Sequence, residues 1–230
     1  MHSSASSPSS LLASRMIRGF YAVLDRVDLA LADALVRPMA QGGAGARVLQ
    51  LRIKDPDVRV APSELQQLAV AVRRLTQLHG AAFIVNDDLA LALASGADGV
   101  HLGQDDLPLA QARQQVVAAG VADRFLLGIS THTPAQVSAA CLGGADYLGF
   151  GPVFATATKR NPDPVVGITG LAAACTTAGR TPVVAIGGIQ LTDAPSLFAA
   201  GAAAVCAISS VNGASNPAAA GAQISACVTV

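Results

Sequence analysis

Two short apolar runs end in paired aspartates, Asp87-Asp88 and Asp105-Asp106, inside the stretch FIVNDDLALALASGADGVHLGQDD at residues 83–106. Acidic residues number 15 in the whole chain, so four of them in one short stretch mark a place where carboxylates are needed. With the amide of Asn86, these groups are hard oxygen donors of the kind that suit Mg²⁺. That ion keeps several of its waters and borrows one or two protein carboxylates beside substrate phosphates. Basic residues gather in two other short runs, QLRIK with Gln50, Arg52 and Lys54, and TATK ending in Lys159. Their charge would repel a metal unless a strongly anionic group, such as a pyrophosphate, lay between. Glycine pairs or serines at Gly187-Gly188 and Ile208-Ser209 form a second region where backbone N–H groups can approach a phosphate.

The elements that must carry these residues follow from periodicity. Eight short β-branched or leucine-rich runs occur at residues 19–24, 47–52, 82–85, 99–102, 125–129, 147–150, 183–186 and 204–208. Helical patterns lie between them. The best defined covers residues 62–78, where Leu65, Leu68, Ala69, Val72 and Leu75 recur at helical spacing, with Ser63 and Glu64 at its start and Gly80 at its stop. Three segments, SGADGV, GGADY and AGAAAV, echo one another as a helix ending on glycine and turning directly into a strand. Repeated helix-glycine-strand units mean parallel strands with crossover helices. Eight units in about this length predict an α/β fold of the (β/α)8 TIM-barrel type. A doubly wound open sheet is the alternative, though no GxGxxG follows the first run.

A barrel of this kind places its chemistry at the C-terminal ends of strands. Run two delivers Gln50, Arg52 and Lys54, which share one side of an extended chain. Run three delivers Asn86, Asp87 and Asp88, run four His101 and the GQDD loop, and run five Ser130, Thr131 and His132. The remaining runs deliver the GPVFATATK loop, Gly187-Gly188 and Ser209-Ser210. All converge on one rim, and two anion sites on that rim imply two phosphorylated small-molecule substrates. His101 is expected to hold the loop that carries Asp106, His132 is a candidate for chemistry, and His79 and His2 are expected to have no part in it.

Composition narrows the classes. Hydrophobic residues make up 52% and mean hydropathy is +0.48, so a large core can be buried. Formal charge is zero, which argues against a nucleic-acid partner. The uncharged run at residues 198–208 is shorter than the roughly 20 residues a membrane span needs. Four dispersed cysteines, Cys141, Cys175, Cys206 and Cys227, lack metal or redox spacing and suit a reducing, cytoplasmic setting. The serine-rich residues 1–17 are expected to be a disordered tail, and residues 18–230 a single barrel domain with a final helix after residue 216. Whether the chain forms a homo-oligomer is left open.

The rim words carry a family resemblance. LQLRIKD at 49–55, FIVNDD at 83–88, ADGVHLGQDDL at 97–107, GISTH at 128–132, GADYLGFGPVFATATK at 144–159, PVVAIGGI at 182–189 and AIS at 207–209 stand in the order found in thiamine phosphate synthases. The chain resembles that family over residues 20–211. The resemblance implies a transferase that joins 4-amino-2-methyl-5-(diphosphomethyl)pyrimidine to a thiazole phosphate, with or without a carboxylate, releasing pyrophosphate through a pyrimidine methyl cation. It implies that Gln50, Leu51, Arg52, Ile53, Lys54, Asn86, Ser130 and Lys159 hold the pyrimidine diphosphate, with Arg52, Lys54, Ser130 and Lys159 assisting catalysis. Thr156, Ala157, Thr158, Gly188, Ile208 and Ser209 would hold the thiazole phosphate. Asp87 and Asp106 would bind one Mg²⁺ per subunit, leaving Asp88 and Asp105 as supporting neighbours. A related thiazole tautomerase, with a histidine near His132, and a non-catalytic precursor-binding barrel are the rival readings. The basic residues of QLRIK and TATK argue against the first and the metal aspartates against the second.

Overall fold

The computed structural model describes residues 8–40, 45–54, 60–156 and 163–228. Eight parallel strands alternate with helices and close into a barrel in chain order. They are β1 (Gly19–Leu24), β2 (Val48–Leu51), β3 (Ala82–Asn86), β4 (Gly99–Leu102), β5 (Leu126–Thr131), β6 (Tyr147–Phe150), β7 (Val183–Ile186) and β8 (Ala204–Cys206). The seam is short: Gly19 lies opposite Ala204 and Phe20 opposite Val205. The helices are α1 (Pro8–Met16), α2 (Leu29–Ala40), α3 (Pro62–His79), α4 (Leu89–Ala94), α5 (Leu109–Ala118), α6 (Pro134–Leu142), α7 (Gly167–Ala178), α8 (Ala194–Ala199), α9 (Ile208–Asn212) and α10 (Pro217–Ala226).

The strands read as nearly continuous apolar runs because both of their faces are buried. Alternate residues serve two different cores. Phe20, Leu24, Leu49, Leu51, Phe83, Val85, Val100, Leu102, Leu127 and Phe150 pack outward against the helices. Tyr21, Val23, Val48, Ala82, Ile84, Leu126, Tyr147, Val184, Ala204 and Cys206 fill the barrel interior. This period of two places every inward position of a strand on one line leading up to the rim. Helix α10 lies against β1 through Gly221, where a Cβ would come within 2.8 Å of the Phe20 ring.

The internal echo has a physical basis: in all three copies the glycine takes a positive φ, 99° at Gly201, and in two of them an aspartate follows. Gly96 and Gly144 take positive φ values of 68° and 81°, ending α4 and α6 in the left-handed region that glycine adopts freely. Two residues later an aspartate fastens the bottom of the neighbouring strand. Asp98 accepts from the Phe83 amide at 2.8 Å and pairs with Arg73 at 2.5 Å. Asp146 accepts from the Leu127 amide at 2.8 Å and pairs with Arg113 at 2.9 Å. In the third copy Ala203 stands where the aspartate would be, and the strand is held by backbone bonds alone.

Two expectations need correction. Residues 8–16, read in the sequence as part of a disordered tail, form α1, and it closes the N-terminal mouth of the barrel. Ala13 and Ile17 are fully buried among the interior residues of β1, β2, β3 and β5, because the open lower end of the barrel would otherwise expose apolar side chains to water. Residues 1–7 lie outside the described part. The eighth strand, expected to run to residue 208, stops at Cys206, and Ile208 begins α9. Ser210 and Asn212, which follow, satisfy backbone groups instead of extending the sheet. Ser210 donates to the Ile189 carbonyl at 2.9 Å, and buried Asn212 donates to the Val23 carbonyl at 2.9 Å.

Candidate active site

At the C-terminal end of the barrel lies a cavity of about 570 Å³. Its floor is set by inward residues one layer above the apolar interior. Gln50, 4% exposed on β2, donates from its side-chain amide to that of Asn86 on β3 at 3.4 Å. Arg52 and Lys54 continue the same side of the chain beyond β2 and line the cavity with Gln50. Leu51 and Ile53, expected in the same site, do not: their side chains turn the other way and pack against the helix layer. The alternation that aligns Gln50, Arg52 and Lys54 requires this.

The acidic residues divide by role. Asp88 caps α4 by accepting from the Leu91 amide at 2.8 Å. Asp87, one residue earlier, is forced into the left-handed region with φ 62°, its amide bonded to the His101 carbonyl at 2.8 Å. That conformation, tolerated by aspartate and asparagine more than by other side chains, turns the carboxylate into the cavity. There it meets Lys54 Nζ at 2.5 Å and lies within hydrogen-bonding reach of Asp106. Burial and the neighbouring Asp106 carry the Asp87 carboxyl above its ordinary range, against the pull of Lys54. Asp106, although partial burial opposes this, is held below its ordinary range by its bonds to Asp87 and to the Gly103 amide. Two carboxylates so placed compete for one proton unless a cation lies between them. Asp106 also fastens its own loop, with the Gly103 amide donating to it at 2.7 Å. His101 therefore does not hold that loop.

Instead His101 stands in a line of hydroxyls. Its Nδ1 lies 3.1 Å from the Tyr147 hydroxyl, and its Nε2 lies 3.0 Å from Ser130 Oγ. Tyr147 is in turn 2.9 Å from the Tyr21 hydroxyl. Burial, helped by the charge of Arg52, holds the imidazole down at about 4, so the ring is neutral near pH 7. Burial likewise raises both phenols well above their ordinary range. His132 is placed differently. Its Nδ1 donates to the Gly151 carbonyl at 2.5 Å, its backbone amide donates to Gln136 at 2.7 Å, and its Nε2 faces Asp163 at 3.4 Å.

The opposite wall is built by glycine. Gly187 and Gly188 have φ values of 99° and 66°, and a Cβ on Gly188 would fall 2.3 Å from the Ala155 carbonyl oxygen. The segment after β6 can therefore lie directly on the turn after β7, where the Phe154 amide bonds the Gly187 carbonyl at 3.0 Å. This contact brings Thr156 to the cavity beside Gly188, Ile208 and Ser209. Ala157, Thr158 and Lys159 lie outside the described residues.

Gln50, Arg52, Lys54, Asn86, Asp87, Asp106, Ser130, Thr156, Gly188, Ile208 and Ser209 thus share one cavity. Sequence reasoning missed Tyr21 and Tyr147. They are the only tyrosines of the chain, at inward positions of β1 and β6, and that rarity in an alanine-rich core was the available signal. Gln104, expected on the rim as part of the GQDD loop, lines the cavity and donates to the Ser130 carbonyl at 2.6 Å.

A (β/α)8 barrel that gathers cations, paired carboxylates and a double-glycine turn on its C-terminal rim is an enzyme for anionic small molecules. Comparison with known proteins makes the class specific. The family model described as thiamine monophosphate synthase matches residues 20–211. A thiamine-phosphate synthase of Methanospirillum hungatei is 47% identical over 168 residues, covering 73% of this chain and 76% of that protein. One from Moorella thermoacetica is 43% identical over 195 residues, covering 85% and 87%. Among solved structures, a thiamine phosphate pyrophosphorylase from Pyrococcus furiosus superposes with a TM-score of 0.77 at 29% identity, covering 94% of this chain and 97% of that one. The chain belongs to the thiamine monophosphate synthase family and is a transferase.

Proposed function

We propose that this cavity joins a pyrimidine methyl diphosphate to a thiazole phosphate by letting the diphosphate leave first. The bond between the pyrimidine methylene and the diphosphate oxygen breaks, with its electron pair departing on oxygen. The thiazole nitrogen then supplies the pair for the new C–N bond. The observation that carries this reading is the opposed charge on one rim, with Arg52 and Lys54 on one side, Asp87 and Asp106 on the other, and Lys54 bonded to Asp87 at 2.5 Å. A site of this form favours an anionic leaving group, because fixed positive groups stabilise charge as it develops.

In this reading the Gln50 and Asn86 amides seat the pyrimidine at the cavity floor. Arg52, Lys54 and the Ser130 hydroxyl take the charge growing on the diphosphate, with Lys159 as a fourth partner proposed from its sequence position. Thr156, Gly188, Ile208 and Ser209, with Ala157 and Thr158 proposed likewise, hold the thiazole phosphate. Holding both partners in one cavity supplies the alignment that a bimolecular encounter lacks.

Asp87 and Asp106 fit a single Mg²⁺: two hard carboxylates from adjacent strand ends, already competing for a positive partner, with substrate phosphate and water to complete the shell. The ion, when bound, would neutralise charge on the diphosphate oxygens. Among the described residues no helix is long and apolar enough to cross a membrane. The four free cysteines fit a reducing compartment, so we place the enzyme in the cytoplasm.

The test is to incubate purified protein with both substrates and Mg²⁺, and to follow thiamine phosphate by chromatography with a chelator control. Product that vanishes with chelator supports the reading. Product unaffected by chelator overturns the metal assignment, and no product overturns the reaction.

A further inference from the structure

The barrel seam changes character at its C-terminal end. There β1 and β8 pair through Gly19 opposite Ala204 and Phe20 opposite Val205, a register that would set Val23 opposite Ile208 if β8 ran on. Instead β8 stops at Cys206, and Ile208 begins α9. The Leu24 carbonyl faces β2, where it accepts from the Arg52 amide at 2.9 Å, so the Val23 carbonyl, one residue earlier in the strand, faces the seam. A side chain takes the place of the missing strand. The Asn212 amide nitrogen donates to the Val23 carbonyl at 2.9 Å and to Asp25 Oδ1 at 2.9 Å. Both partners are acceptors, which fixes the orientation of the amide and uses both of its hydrogens. Asn212 is 5% exposed, and the Arg26 guanidinium donates to its backbone carbonyl at 3.0 Å.

The other side of α9 is tied to the loop after β7. Ser210 Oγ donates at 2.9 Å to the carbonyl of Ile189, the neighbour of Gly188. Gly188, Ile208 and Ser209 share the cavity wall assigned above to the thiazole phosphate. With five residues, α9 is too short to hold a direction by its own hydrogen bonds, so its placement depends on these side-chain ties. We infer that Asn212 is a positioning residue for the phosphate end of the cavity: by closing the seam with its side chain, it holds Ile208 and Ser209 against Gly188. Ser210 is its counterpart on the β7 side. The cavity is lined by Ser209 and not by Ser210 or Asn212, so both act through α9 and neither touches substrate. The inference rests on the proposed reaction for the identity of the ligand, whereas the ties themselves belong to the protein alone.

Two measurements on the full chain test this: calorimetric titration with thiazole phosphate, which needs no turnover, and steady-state rates with both substrates. Asn212→Ala is expected to weaken thiazole phosphate binding at least about tenfold, as for loss of one hydrogen bond to a charged group. The KM for thiazole phosphate should rise by the same factor, while the KM for the pyrimidine diphosphate stays within about threefold, because Gln50 and Asn86 lie on other strands. Ser210→Ala breaks the single tie to Ile189, leaves the seam intact and should weaken the same ligand by about three- to tenfold. Ile17→Ala loosens packing at the opposite end of the barrel and should leave this binding unchanged. Wild-type binding by Asn212→Ala, or by Ser210→Ala where Asn212→Ala does not fold, would overturn the positioning role. Equal weakening by Ile17→Ala, or an equal rise in both KM values, would overturn it too, since either marks general loosening. A wild-type protein that binds thiazole phosphate without forming thiamine phosphate would remove the reaction and leave the positioning role standing. One that does not bind thiazole phosphate would remove the ligand assignment and this inference with it.

Discussion

Replacing Asp87 by asparagine separates a functional carboxylate from a structural one. The change keeps the shape of the side chain and a residue type that accepts φ 62°, while removing the negative charge. Its effect on folding follows from exposure. The Lys54 side chain is 49% exposed and that of Asp87 27%, so their pair belongs with surface ion pairs, which contribute about 0–1 kcal/mol. Loss of the pair is offset by relief of the repulsion from Asp106. The net change is expected below about 1 kcal/mol, or about 2–4 °C in Tm for a chain of this size. Turnover is different, because the charge lost is one of two proposed metal ligands and metal stabilisation of leaving-group charge amounts to several kcal/mol. A fall in kcat of at least about 100-fold is expected. Asp87→Ala adds a backbone penalty of about 1–2 kcal/mol for alanine in the left-handed region, visible as a further few degrees in Tm with no further loss of turnover. The assay pairs thermal unfolding with initial rates at saturating Mg²⁺. Asp87→Asn protein that keeps activity within about threefold, or that loses more than about 8 °C, would refute the reasoning.

Three other outcomes are expected. Ile17→Ala empties a site that is 1% exposed between α1 and the barrel floor, and it should cost about 2–5 kcal/mol in urea unfolding; a change under about 0.5 kcal/mol would mean that α1 is not docked. Gly128→Ala places a methyl group 2.2 Å from the Tyr147 ring and should destabilise by about 1–3 kcal/mol while lowering kcat, whereas wild-type stability would show that Tyr147 can move aside. For His101, the folded value of about 4 lies below the ordinary 6.5, so the unfolded chain takes up the proton first as pH falls. Stability from this group is complete above about pH 6.5 and drains away toward pH 4, by about 3 kcal/mol in total. His101→Gln should flatten that part of the stability curve, and an unchanged slope would place the titrating group elsewhere.

Much of the site was legible because a parallel barrel converts strand order into rim position. The four charged words that ended separate runs had to meet if the strands closed, and a period of two placed Gln50, Arg52 and Lys54 on the same side. The same rule sends Leu51 and Ile53 outward, although they lie within the matching word. What stayed illegible depends on contacts between distant segments. Nothing in the serine-rich sequence around α1 shows that the barrel floor offers Ala13 and Ile17 a buried place. Asp87 and Asp88 look alike as neighbours, and only the backbone turn at Asp87 makes one a cavity carboxylate and the other a helix cap.

The sequence alone determined the alternation of buried strands with helices, the glycine stops and the residue types at each strand end, since these rest on local conformational preference and a fixed period. Tertiary structure alone decided that Asp87 after β3 and Asp106 after β4 meet in the cavity, that His101 meets Ser130 and not the Asp106 loop, and that both tyrosines stand beneath them. The two hydrogen bonds His101–Ser130 and Tyr21–Tyr147 join residues 29 and 126 positions apart, and they exist only because closure of the barrel brings inward side chains from different strands within hydrogen-bonding distance.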